Sequence, residues 1–118
     1  MSMLDGLLKD LAEESAQLRA AVADLDEPGW RTPTPAAGWD VATQIGHLTW
    51  TDEAAVTAAR AARGDKAAWD TLVLHALEEP SDFVDLGAYA TAAVRTEELL
   101  ARWDASRDAL AAALREVE

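Results

Sequence analysis

Leucine and valine recur by threes and fours from the start of the chain. Leu4, Leu7, Leu8, Leu11, Leu18, Val22 and Leu25 fall in one row with Ser15. That spacing puts side chains on one face of an α-helix and predicts a first helix over about residues 2–25. Lys9, Glu13, Glu14 and Arg19 take the opposite face. The segment 26–40 breaks the pattern: it holds Pro28, Pro33, Pro35, Gly29 and Gly38, so it reads as a long ordered loop. Trp30 and Trp39 lie in it and are expected to pin it to the helices beneath. Asp40 is placed as the N-cap of a second helix over about residues 40–63, with Val41, Ile45, Leu48, Ala55 and Ala59 as its apolar row. Gly64-Asp65 stops that helix. A short helix over about residues 66–78 offers Trp69, Leu72, Val73, Ala76 and Leu77, and Glu78-Glu-Pro-Ser-Asp82 reads as a turn. A last long helix is predicted over about residues 84–117, with Leu86, Ala90, Ala93, Leu100, Trp103, Leu110, Leu114 and Val117 in one row. The pattern is all-α: three long helices and a short one in an antiparallel bundle, a single domain over residues 1–118.

Composition narrows the function. Ten basic residues face 22 acidic ones, for a formal net charge of −12. A nucleic-acid binder needs a basic face to displace counterions from phosphates, and an anionic membrane attracts only basic segments. Neither nucleic acid nor membrane is an expected partner. The absence of Cys excludes disulfides, thiolate catalysis and Cys-type zinc sites within the chain. No run of about 20 apolar residues is long enough to cross a bilayer. The first residues show no basic stretch followed by an apolar one, so a cytoplasmic protein is the expectation.

Four side chains carry candidate chemistry. His47 lies two turns into the second helix, and Gly46 beside it costs about 1 kcal/mol of helix stability relative to Ala. Something is therefore expected to approach the backbone closely there. One reading makes His47 a helix-boundary residue bonded to a loop carbonyl; the other makes it a metal ligand whose partners come from other helices. No second histidine three or four residues away supports the metal reading. His75 reads as a half-exposed residue paired with Glu79 one turn on, or as a second ligand. Asp52 and Glu97 are carboxylates in otherwise apolar rows, and buried carboxylates need a partner, a metal or a proton. They read as ion-paired, with Arg107 the candidate partner, as row ends turning to solvent, or as neighbours of His47 in a metal site. No Gly-x-Ser-x-Gly motif and no Gly-rich phosphate loop occurs.

The string Trp30-Arg-Thr-Pro-Thr-Pro-Ala-Ala-Gly-Trp-Asp-Val-Ala-Thr-Gln-Ile-Gly-His-Leu48 resembles the N-terminal metal-binding domain of the mycothiol-dependent maleylpyruvate isomerase family and its actinobacterial relatives. These belong to a DinB-like superfamily of helical bundles. The resemblance implies a DinB-like bundle and a divalent metal, usually zinc, with His47 as one ligand. The family's other two ligands stand in an H-x-x-x-H or E-x-x-x-H pattern on a further long helix, which this sequence does not contain and which His75 does not match. It also implies a thiol cofactor, mycothiol, activated near the metal, and so an isomerase or transferase acting on a small molecule. The alternatives are a binding or dimerisation module that keeps the fold without a complete metal site, and an N-terminal fragment of a longer family protein. Without the further helix, one chain is expected to leave apolar rows uncovered. A homodimer is therefore expected, with an interface around Leu100, Trp103, Leu110 and Leu114.

Overall fold

The computed structural model of the chain describes residues 2–117, and among them every regular element is a helix. The order is α1 (Met3–Ala23), α2 (Glu27–Trp30), α3 (Val41–Ala62), α4 (Ala67–Glu78), α5 (Phe83–Ala92) and α6 (Thr96–Val117). The all-α bundle is as expected. Helix α3 is its axis: α6, α5 and α4 all pack against it.

Local chemistry fixes the starts. Ser2 and Asp5 form a reciprocal capping box on α1, the Ser2 hydroxyl accepting from the Asp5 N–H at 3.1 Å. Asp40 caps α3 as expected, its Oδ1 accepting from both the Thr43 N–H and the Thr43 hydroxyl at 2.8 Å. The loop 26–40 is more regular than its prolines suggest. Asp26 accepts from the Gly29 N–H at 2.8 Å and starts the single turn α2, with Pro28 where its missing N–H costs nothing. The rest of the loop closes on itself through an antiparallel bridge between Pro33 and Asp40. Gly38, with φ of 80°, makes the reversal.

The predicted helix over 84–117 is two helices. The chain bends at Ala93–Arg95 and restarts at Thr96, with Glu97 and Glu98 in the favourable first turn of α6. No Gly or Pro marks the break. It shifts the apolar row: Ala88, Thr91 and Ala92 are buried on α5, whereas Leu86 and Ala90 are exposed.

The main core joins Val22, Trp30, Ala42, Ile45, Ala92, Leu99 and Trp103. Burying each large side chain contributes about 1.5–3 kcal/mol. A second cluster of Val56, Ala59, Leu110 and Ala113 closes the far half of the α3–α6 contact. This corrects the expected dimer interface. Trp103 and Leu110 are buried inside the chain, and Leu100 and Leu114 pack against its core clusters. An interface there would have to open the protein's own core.

Helix α1 is attached differently. Leu8 and Val22 are its buried residues, and Arg19 reaches α6 to donate from Nε to Asp104 at 3.0 Å. Leu7, Leu11 and Leu18 of the same apolar row are exposed.

Candidate metal site

His47 sits half-buried on α3. The α3–α5 crossing positions it. A Cβ on Gly46 would lie 2.8 Å from the Ala88 carbonyl oxygen and 2.9 Å from the Ala92 Cβ. The close approach expected beside the imidazole is therefore made by helix α5. Glycine is needed there so that the two backbones can meet. Over the ring lies Trp39, with ring centroids 5.2 Å apart and planes tilted by 50°. Trp39 is held in turn by the edge of Tyr89 at 6.5 Å, and the Tyr89 hydroxyl donates to the Gly38 carbonyl at 3.3 Å. The Pro/Trp loop thus roofs the histidine, and α5 fastens the loop.

The reading of His47 as bonded to a loop carbonyl does not hold. Its Nδ1 is buried and has no hydrogen-bond partner among the described residues. Leaving a buried polar atom unpaired costs about 1–3 kcal/mol, so such an atom calls for an explanation. An imidazole nitrogen is a good donor to zinc and similar divalent ions, and in that respect His47 fits a metal.

The other three candidates do not join it. Asp52 lies five residues along the same helix, about 140° around its axis from His47. It turns toward α6, where Ser106 Oγ donates to its Oδ2 at 2.9 Å. Burial pushes the Asp52 carboxyl above its ordinary range, against the Ser106 hydrogen bond and the nearby Arg107 charge. The expected Arg107 ion pair is replaced by the Ser106 hydroxyl. Arg107 instead bonds Asp104 and stacks over Trp103, 4.3 Å from the ring centroid. Glu97 is exposed in the first turn of α6, the solvent-facing end of its row. His75 is exposed on α4. No ion pair joins it to Glu79 among the described residues; the Glu79 backbone N–H bonds only the His75 carbonyl, at 3.1 Å. Among the described residues no group of three or more His, Asp or Glu side chains converges to hold a metal. One donor fits a metal, and a complete set is not assembled by these residues.

Two parts of this arrangement gave no clear signal in the sequence. Tyr89 was masked by its place in a presumed continuous helix. The Arg19–Asp104–Arg107 network joins residues 85 apart, which no local spacing reveals.

An all-α helical bundle is the architecture that the sequence resemblance implies; the loop roofing His47 is added by the structure. The family model for the mycothiol maleylpyruvate isomerase N-terminal domain matches residues 11–118. The chain belongs to that family, a DinB-like group. Two proteins of Mycobacterium tuberculosis are similar to it: the uncharacterized protein Rv0036c of strain ATCC 25618 / H37Rv and the uncharacterized protein MT0041 of strain CDC 1551 / Oshkosh. Each is 46% identical over 101 residues, covering 86% of this chain and 38% of the relative. The chain thus spans well under half the length of these relatives. No solved structure gives a significant match.

Proposed function

We propose that this chain is the metal-binding helical domain of a thiol-dependent isomerase or transferase, with His47 as one ligand to a divalent ion, zinc first among them. The observation that carries the reading is the buried, unpartnered Nδ1 of His47 beneath Trp39, in a chain of this family. A zinc-bound thiol is deprotonated at neutral pH, which is the chemistry the metal would supply to mycothiol or a similar cofactor. The chain's own part is to hold the imidazole against the α3–α5 crossing and to exclude water from one of its faces with Trp39. Asp52, Glu97 and His75 drop out as ligands on this reading.

A second reading is a module that keeps the fold without a complete metal site. It is favoured by the lack of a three-donor cluster among the described residues. Titration with Zn²⁺, followed by the ring resonances of both histidines, separates the two. The metal reading expects a perturbation of His47 that His47→Ala abolishes and His75→Ala leaves intact. It also expects weak affinity, because one imidazole is far short of the three or four ligands that hold zinc tightly. If His47 stays unmoved at saturating Zn²⁺, or the response follows His75, the metal reading fails and the second stands.

A further inference from the structure

Helix α1 carries two apolar lines, and the fold buries residues of only one completely. Leu8 and Val22 turn inward and are buried. Beside them run Leu4, Leu7, Leu11 and Leu18, in which Leu4, Leu11 and Leu18 are spaced by seven and Leu7 supplies the intervening position. A seven-residue apolar repeat is the seam of a coiled coil, in which each side chain enters a hole on a facing helix. The seam is open here: Leu7 is 59% exposed, Leu11 41% and Leu18 38%. Along its edge runs a cleft of about 200 Å³ between α1, α3 and α6, with Leu48 and Trp103 in its walls.

The area left open matches what a second copy would cover. The chain exposes 7336 Å², whereas a compact monomer of this mass exposes about 6,200 Å². The surplus of about 1,100 Å² is comparable to the roughly 800 Å² that each partner buries in a standard interface. The molecule is only 23 Å thick in its shortest dimension, about two helix diameters. Its radius of gyration of 15.2 Å exceeds the ~13.5 Å of a compact domain of this length.

We propose that two copies of the chain associate through the α1 seam, each laying its leucines along the partner's cleft about a two-fold axis. The pairing is isologous, so every seam residue acts twice. It also has a built-in weakness. Glu14 stands at the position seven after Leu7, where the repeat calls for an apolar residue, and it opposes the pairing of two acidic chains.

Sedimentation equilibrium from low to high micromolar protein, at physiological salt, tests this. The expected result is a mass rising from 12.6 kDa toward twice that value. Replacing Leu11 and Leu18 together by Glu should hold the mass at the monomer value while the helical circular dichroism stays unchanged, since both side chains already reach solvent and can turn a carboxylate outward. Glu14→Leu should tighten association about tenfold. Replacing the exposed Leu74 and Leu77 of α4 by Glu should leave it alone. A wild-type chain that stays monomeric throughout overturns the proposal, because another occupant then covers the seam. So does a Leu11/Leu18 double variant that still dimerises, or an α4 variant that does not.

Discussion

Gly46 shows how one residue sets the site. Replacing it by Ala gains about 1 kcal/mol of intrinsic helix preference. The added Cβ, however, would meet the Ala88 carbonyl oxygen at 2.8 Å, the Ala92 Cβ at 2.9 Å and the Ala92 nitrogen at 3.0 Å. Two of these are backbone atoms and cannot swing aside, so α5 must move as a unit. Overpacking of this kind costs about 1–3 kcal/mol, which outweighs the propensity gain. Gly46→Ala is therefore expected to lower the urea midpoint by an amount worth about 1–2 kcal/mol. It should also alter Trp39 fluorescence, because α5 carries the Tyr89 that steadies that indole. A variant as stable as the wild type would mean that the helices part without loss. The glycine's abnormal cost in a helix was legible in the sequence, and so was the close backbone approach beside His47 that it permits. That His47 lacks a bonding partner was not legible, because the answer depends on which loop atoms reach the ring. Asp52 and Glu97 looked alike as carboxylates in apolar rows. Only packing distinguishes them: one lies beneath α1 with Ser106, the other faces solvent at a helix start.

At the scale of elements, α1 depends on polar ties as much as on burial. The Arg19 guanidinium meets the Asp104 carboxylate of α6 through two bonds, at 3.0 and 3.3 Å. The Arg19 hydrogen bond, with the charges of Arg19 and Arg107, holds the Asp104 carboxyl below its ordinary range. A carboxylate with a lowered folded-state pKa contributes stability at neutral pH. That contribution is lost as pH falls from the ordinary carboxylate value through the folded one. Both side chains are about a third exposed or more, so screening keeps the effect under about 1 kcal/mol. Asp104→Asn is thus expected to lower Tm by only a few degrees at pH 7, with the wild-type and variant curves converging in strong acid. Hydrogen exchange should locate the loss: α1 amides open faster while those of α3 and α6 hardly change. Equal acceleration across all three helices would show that α1 is not a separately held element. The extents of α1, α3 and α4 were readable within a few residues, because their periodicity ends at Gly, Pro or a capping Asp. The α5–α6 break was not, since Ala93-Val-Arg95 contains no breaker and tertiary packing alone decides it. For the same reason the single turn α2 was hidden among prolines that also suit a loop.

At the scale of the whole molecule, charge and shape oppose each other. A net charge of −12 on 118 residues repels itself in the compact state. The ion pairs joining helices, such as Arg102 with Glu53 and Arg63 with Glu116, pull the other way. Salt weakens both. The ion pairs lie largely at the surface, where each is worth about 0–1 kcal/mol, and close contact shields them better than it shields distant charges. The repulsion sums over the 12 acidic groups in excess of the basic ones and acts across tens of ångströms. The Debye length falls from about 30 Å at 0.01 M salt to about 8 Å at 0.15 M, so the long-range repulsion is what salt removes first. Tm is therefore expected to rise by about 3–6 °C between these concentrations. Association through α1 would also be strengthened by salt and would raise Tm by mass action. Melting the wild type at low micromolar concentration, where the copies are apart, isolates the intramolecular part. Its Tm should still climb with NaCl there, by less than at high protein concentration. A Tm that falls with salt would show that the interhelical ion pairs outweigh the charge imbalance.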